Sequence, residues 1–304
     1  MRTNRVVGLI ALAVAGVMLA GVGAVAQPLP LEPPHKAFGQ AVWPAYEGWY
    51  DNPDGSYTFL IGYFNPNKEQ AFDIPVGEDN FFSPGEPDRG QPTHFATTRG
   101  WAVFAVVLGK EYVDTAKQLT WTLVTNDQRA SIPMHTDPGW YVEPFEDAAN
   151  KNRPPALRFT ATGQSFEGPP VSGIASSYST MVSEPLTVKL WTSDVEPTGY
   201  ATGPQQTAAS DQPPRDSRRR RPGLVLRWMK LRGPGDVTFS EQRQSFDTAK
   251  QTPETEVTFS AAGEYVLRVE ALDSTGSGGS GSQCCWTSAH IAVSVAAPPE
   301  TTGG

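Results

Sequence analysis

Apolar and polar residues alternate with a period of two on either side of a tight turn in YEGWYDNPDGSYTFLIGYFNPN (residues 46–67), and this pattern recurs down the chain. Tyr57, Phe59, Ile61 and Tyr63 alternate with Thr58, Leu60, Gly62 and Phe64. Between the arms stands Asn52-Pro53-Asp54-Gly55. Pro fixes the φ of the first corner, Asp suits the second, and Gly accepts the left-handed position after it. Such a stretch specifies a β-hairpin. The second arm is apolar on both faces, so it is an interior strand or one with a covered outer face. On the first arm, strict alternation places Tyr46, Gly48 and Tyr50 on one face and Glu47 and Trp49 on the other.

Further alternating runs lie at residues 101–108, 119–124 and 156–160, separated by turns such as Pro84-Gly85 and Asp137-Pro138-Gly139. No long segment has a helical period, and Gly (29) and Pro (28) are both abundant, which is the composition of a turn-rich all-β chain. We expect a first β-sandwich over residues 37–165, closed by the strand at 156–160. After Gly168-Pro169-Pro170 the pattern restarts. Leu186, Val188 and Leu190; Leu224, Leu226 and Trp228; Tyr265, Leu267, Val269 and Ala271; and Ile291, Val293 and Val295 each share a face. These predict a second sandwich over residues 172–297, with a Gly- and Pro-bearing linker at 163–173. Residues 194–222 lack apolar periodicity and end in Arg218, Arg219, Arg220 and Arg221. They read as a disordered insertion whose basic end is a solvated charge block, able to meet an acidic surface.

The second half carries a resemblance. LRWMKLRGPGDVTFS, VTFSAAGEYVLRVEALD and IAVSV resemble PKD/REJ-type immunoglobulin-like modules of secreted and cell-surface proteins. In those, a tryptophan strand leads into a GPG turn, and an F-x-x-x-G-x-Y segment precedes the last strands. With RGQPTHF and QCCWTSAH, the whole chain is also similar to a group of exported bacterial proteins. The resemblance implies an immunoglobulin-like sandwich and a role in adhesion, spacing or ligand display rather than catalysis.

The first 26 residues read as a cleaved signal peptide: Arg2 and Arg5, an uncharged apolar run over residues 6–20, and Ala24-Val25-Ala26 before a cut at Gln27. No second apolar run of spanning length follows, so the mature chain is expected to be secreted or periplasmic, without a membrane span. The formal charge of −8 becomes −10 once Arg2 and Arg5 leave. An acidic exported chain is a poor nucleic-acid binder.

The sequence offers several candidate sites. Trp49, Tyr57, Phe59 and Tyr63 are expected in the core, which leaves Tyr46, Tyr50, Trp140 and Tyr141 as rings that could stack on a sugar or a peptide. Residues 76–95 read as a long polar loop and hold Asp79, Asn80, Glu86 and Asp88, oxygen donors of the kind Ca²⁺ takes, though without the spacing of a known calcium loop. Cys284 and Cys285, the only cysteines, allow a vicinal disulfide, an intermolecular bridge or a buried thiol pair, with Cys285 inward and Cys284 outward if alternation holds. There is no G-x-S-x-G elbow and no H-E-x-x-H, and the histidines (His35, His94, His135, His290) are scattered. The reading is an exported, non-enzymatic binding or envelope-structural protein whose partner is a glycan or an envelope protein. The alternative is a secreted carbohydrate-active hydrolase using first-domain carboxylates such as Glu47 with Asp79.

Overall fold

The hairpin forms as its turn residues specify. Gly55, at φ +84°, closes the turn with its N–H on the Asn52 carbonyl at 2.9 Å, and the Asp54 carboxylate accepts the Ser56 N–H at 2.9 Å. The computed structural model describes residues 36–111, 118–147, 151–170, 173–194, 223–246, 251–273 and 284–299. The expected signal peptide (1–26) lies outside these residues, as do the expected insertion from residue 195 on and its four arginines.

The first half contains β1 (Trp43–Asp51), β2 (Tyr57–Phe64), β3 (Phe72–Asp73), β4 (Asn80–Ser83), β5 (His94–Phe95), β6 (Arg99–Leu108), β7 (Thr120–Thr125), β8 (Gln128–Pro133) and β9 (Ala156–Arg158). Sheets ordered β1-β2-β6, β4-β7-β8 and β3-β5 enclose a core centred on Trp121. Phe82 stacks on Trp121 at 6.0 Å and Phe104 meets it edge-on at 5.2 Å. Its indole Nε1 donates to Asn80 Oδ1 at 2.9 Å, which satisfies the one polar atom that burying this ring would otherwise strand. The polar loop expected over residues 76–95 therefore contains two strands, β4 and β5, whose Phe82 and Phe95 are core.

The second half supplies β10 (Ser176–Met181), β11 (Leu186–Lys189), β12 (Trp191–Ser193), β13 (Leu224–Arg232), β14 (Val237–Phe239), β15 (Arg243–Phe246), β16 (Glu254–Phe259), β17 (Gly263–Asp273) and β18 (Trp286–Ala296). A five-stranded sheet, β10-β18-β17-β13-β15, packs on a three-stranded one, β11-β16-β14. β10 joins β18 in parallel, whereas the other pairs in these two sheets are antiparallel. This is an immunoglobulin-like sandwich, with Trp228 buried on a middle strand. Tyr265 makes the corner bond of that architecture: its hydroxyl donates to the Ala261 carbonyl at 2.7 Å and accepts the Gly235 N–H at 3.1 Å. Gly233 sits under the Tyr265 ring at φ +138°, where a Cβ would come within 2.0 Å of the ring.

One strand changes allegiance. β9, expected to close the first sandwich, pairs with β12, and Leu157 and Phe159 belong to the second core. A local alternation says that a strand exists but not which sheet it joins, because either core accepts the same apolar face.

The described residues from Lys36 onward form one compact unit. Tyr50, Leu60, Ala102 and Ala105 of the first half form a shared apolar cluster with Val225, Leu272 and Trp286 of the second, and Leu231 enters the first core. The outer face of the five-stranded sheet is thus covered by β6. That strand is irregular where they meet: its pairing with β2 jumps from Ile61↔Phe104 to Tyr63↔Gly100, bulging residues 101–103, with Ala102 at φ +38°. Arg268 Nη2 donates to the Trp101 and Ala102 carbonyls at 3.1 and 3.4 Å, and His290 Nε2 to the Val103 carbonyl at 2.9 Å. Arg268 also binds Ser288 Oγ at 2.7 Å and Glu270 Oε1 at 2.9 Å.

Three outcomes follow from this packing. Arg268→Met should lower unfolding stability in urea by about 3–5 kcal/mol, because it leaves the bulge carbonyls buried without this donor and Glu270 with only the longer contact to Arg227. The two-domain division with a boundary at 163–173 is a proposal about folding units. A fragment of residues 169–304 lacks β9 and should have a lower urea midpoint than one of residues 151–304, which keeps it. Burial pushes the His290 imidazole down to about 4. An unfolded histidine protonates near about pH 6.5, so on acidification the unfolded chain takes up the proton first. The contribution is complete above that pH and lost as pH falls toward about 4. Between pH 7 and pH 4 the protein should lose about 3 kcal/mol relative to His290→Gln, read from paired urea curves.

Candidate functional site

A bulge in β1 decides which of its rings can meet a ligand. Pairing with β2 runs Tyr46↔Ile61 and then Gly48↔Leu60, so Glu47 falls out of register. Alternation flips there. Tyr46 and Trp49 share the core-side face with Phe59, Ile61, Tyr57 and Tyr63, whereas Tyr50 faces the cluster shared with the second half. The expectation that Tyr46 and Tyr50 lie on one face is corrected, because one inserted residue moves every later side chain to the opposite side. Glu47 instead reaches Arg99 Nη2 at 2.5 Å. Burial pushes its carboxyl up to about 7, with Arg99 pulling the other way.

The segment at residues 135–146 is bolted onto this strand. Tyr46 Oη donates to the His135 carbonyl at 2.5 Å, Trp49 Nε1 to the Asp137 carbonyl at 2.9 Å, and the Val142 N–H to the Trp49 carbonyl at 2.9 Å. Asp137 caps the 3-10 turn Pro138–Trp140 by accepting the Gly139 N–H at 2.8 Å. Gly48, at φ +128°, makes the contact sterically feasible: a Cβ there would lie 2.6 Å from the Trp140 carbonyl oxygen.

The result is a ledge of rings. Trp140, 46% exposed, stands 5.5 Å from Tyr46, and Tyr141, 38% exposed, meets Trp49 edge-on at 5.1 Å. The Tyr141 hydroxyl donates to Asp51 Oδ1 at 2.7 Å; that bond, then burial, raises its pKa. Phe145, 45% exposed, packs edge-on against the buried Tyr50 at 5.3 Å. Tyr50, Tyr141 and Phe145 wall an open cleft of about 370 Å³ whose rim carries Asp51, Glu143, Glu146 and Lys151. Lys151 Nζ is 2.9 Å from Glu146 Oε1. Of the four predicted rings, Trp140 and Tyr141 present faces, Tyr50 forms a wall, and Tyr46 is partly buried and tied down, its pKa raised by burial. Phe145, Asp51 and Glu143 were missed. Phe145 and Glu143 had a signal in WYVEPFE just after a turn, rings and acids within seven residues, whereas Asp51 lies apart at the end of YEGWYD.

The calcium candidates are not brought together. Asn80 is buried, donating to the Ile74 and Pro92 carbonyls at 3.0 and 2.9 Å besides its bond from Trp121. Asp88 receives Arg232 Nη1 and Nη2 at 2.9 and 2.7 Å, which holds its carboxyl below the usual range. Asp79 and Glu86 stay exposed. Among the described residues no three His, Cys, Asp or Glu side chains gather as a metal site would need. Neither Glu47 nor Asp79 lines the cleft walled by Tyr50, Tyr141 and Phe145. Cys284 and Cys285 are bonded to each other and both buried, so Cys284 does not point outward. Both precede β18, where strand alternation does not yet apply.

No protein-family model matches the chain, and no curated protein matches it. Among solved structures, the D00-D0 domain of intimin is similar at 7% identity and a TM-score of 0.25, over 84% of this chain and 100% of that one, a likeness too slight to inform fold or function. Among the described residues no helix is long and apolar enough to cross a membrane.

Proposed function

We propose that this is an exported, non-enzymatic binding protein whose first half holds a saccharide of the cell envelope, with the second sandwich spacing or displaying it, as the PKD/REJ resemblance implies. The observation that supports this reading is the cleft beside Tyr141. It joins exposed ring faces, which suit the apolar faces of a sugar, to carboxylates, which accept hydrogen bonds from hydroxyls. The segment bearing the rings is fixed to β1 by three side-chain and backbone bonds before any ligand arrives, so little ordering is needed on binding. A hydrolase reading draws on the same carboxylates. However, Asp51 is held by Tyr141 and Glu146 by Lys151, which favours holding over turnover.

The test is a polysaccharide array followed by calorimetry on any hit, with product analysis of the same mixtures. Trp140→Ala and Tyr141→Ala are each expected to weaken binding about tenfold, corresponding to about 1.4 kcal/mol, without changing the melting temperature. A glycan that binds both variants as tightly as the parent would remove the ledge from the reading. Release of reducing ends would replace binding by hydrolysis.

A further inference from the structure

A second cleft, of about 260 Å³, lies where β6 meets the outer face of the five-stranded sheet, and its chemistry is opposite to the first. Arg99, Arg227, Arg243 and Arg268 line it, with Glu270 as the single lining carboxylate. Glu270 is already divided: its Oε1 takes Arg268 at 2.9 Å, and its Oε2 lies 3.7 Å from Arg227. Arg99 is held from behind by Glu47 and lies over the Trp101 ring, 3.8 Å from its centroid. Four guanidiniums thus face two carboxylates, a local positive excess in a chain with a formal charge of −8. The excess sits on Arg227 and Arg243, which stand directly opposite each other on β13 and β15. Like charges at a cross-strand pair repel. Among the described residues no carboxylate is paired with Arg243.

We propose that this cleft binds an oxyanion carried on a single ring, a sugar acid or a sugar phosphate. Two cross-strand guanidiniums offer parallel N–H donors to the oxygens of one carboxylate or phosphate, and the bound charge relieves their repulsion. The bulge in β6 leaves Trp101 38% exposed beside them; Arg99 covers one face of its ring, and the exposed remainder is an apolar contact for the ring that carries the anion. The volume lies below the range of about 300–1,000 Å³ for drug-sized ligands, which selects one ring rather than a chain. The site is independent of the saccharide cleft, since the two share no lining residue.

Titrate the purified protein by calorimetry at low ionic strength with glucuronate, glucose 6-phosphate and, as the neutral control, glucose. Saturable binding of either anion, weakened at least tenfold in Arg243→Gln and in Trp101→Ala and by added salt, is the expected result. The tighter anion assigns the carboxylate or the phosphate. Arg243→Gln is also expected to melt no lower than the parent without ligand, because it removes a repulsion, and to lose the rise in melting temperature that the anion gives the parent. Trp140→Ala should leave this binding unchanged, so that failure here and failure of the saccharide reading are separate results. Saturation by neither anion at millimolar concentration, or undiminished binding by Arg243→Gln, overturns the proposal.

Discussion

Arg268 holds the joint on which the rest of the molecule depends. A guanidinium buried between two sheets is expensive to desolvate, and an apolar side chain of similar volume would fill the space more cheaply. It stays because β6 bulges there, and a bulge turns carbonyls away from their ladder. Each carbonyl left buried without a donor costs about 1–3 kcal/mol. Arginine alone among side chains has five N–H groups on one planar fork, enough to serve two of those carbonyls, Glu270 and Ser288 together. His290 serves the third, and its burial keeps it neutral, with the charge of Arg268 beside it acting in the same direction. Farther along β13, Lys230 meets Asp73 at 3.1 Å and Arg232 meets Asp88. Burial opposes the charge on Asp73, but His94 and Lys230 together outweigh it and lower its pKa. The halves are thus joined by a polar centre with an apolar cluster beside it.

What the sequence showed of the fold was whatever depends on short range. The hairpin at Asn52–Gly55, the inward row Leu119, Trp121 and Leu123, and the four apolar positions of β17 were all legible, because period and turn chemistry are local. Two things were not. β9 reads as a strand from its own residues, but its partner lies in the second half. The cover over the five-stranded sheet was also missed, although Val225, Met229, Leu231, Val266 and Leu272 make β13 and β17 apolar on both faces. An apolar pattern on both faces marks these strands as covered on both sides, as it does β2.

The site was legible in its residue types and not in its directions. Trp140 and Tyr141 were picked out because they follow Asp137-Pro138-Gly139, and a turn leaves rings at the surface. Tyr46 and Tyr50 share a face under strict alternation, and the side chains of YEGWY do not mark Glu47 as an extra residue. The one available hint was Gly48, a residue whose lack of a Cβ at positive φ signals a bulge or a close backbone approach in a strand. In the structure it provides both, and Trp140 lies on it. The arginine cleft had no sequence signature at all. Arg99, Arg227, Arg243 and Arg268 come from four strands, and only sheet order and the β6 bulge bring them to one place.

The two bulges are themselves coupled. Glu47, out of register on β1, reaches across β2 to Arg99, at the start of the irregular part of β6. The strand between them is crossed at Gly62, where a Cβ would come within 2.4 Å of the Glu47 carboxylate and 2.2 Å of the Gly100 carbonyl. Any other residue at Gly62 would push the pair apart. Arg99 then donates to the Tyr63 and Gly100 carbonyls, both at 2.8 Å, and its plane fixes the Trp101 ring. On the other strand, the same displaced Glu47 is what turns Tyr50 away from Tyr46 and opens the wall of the aromatic cleft. The Glu47–Arg99 pair over Gly62 thus links two irregular strands, one beside the acidic, ring-lined cleft and one beside the basic cleft. Both clefts arise where a strand departs from regular pairing, since a regular ladder would have kept those side chains in the core or in solvent.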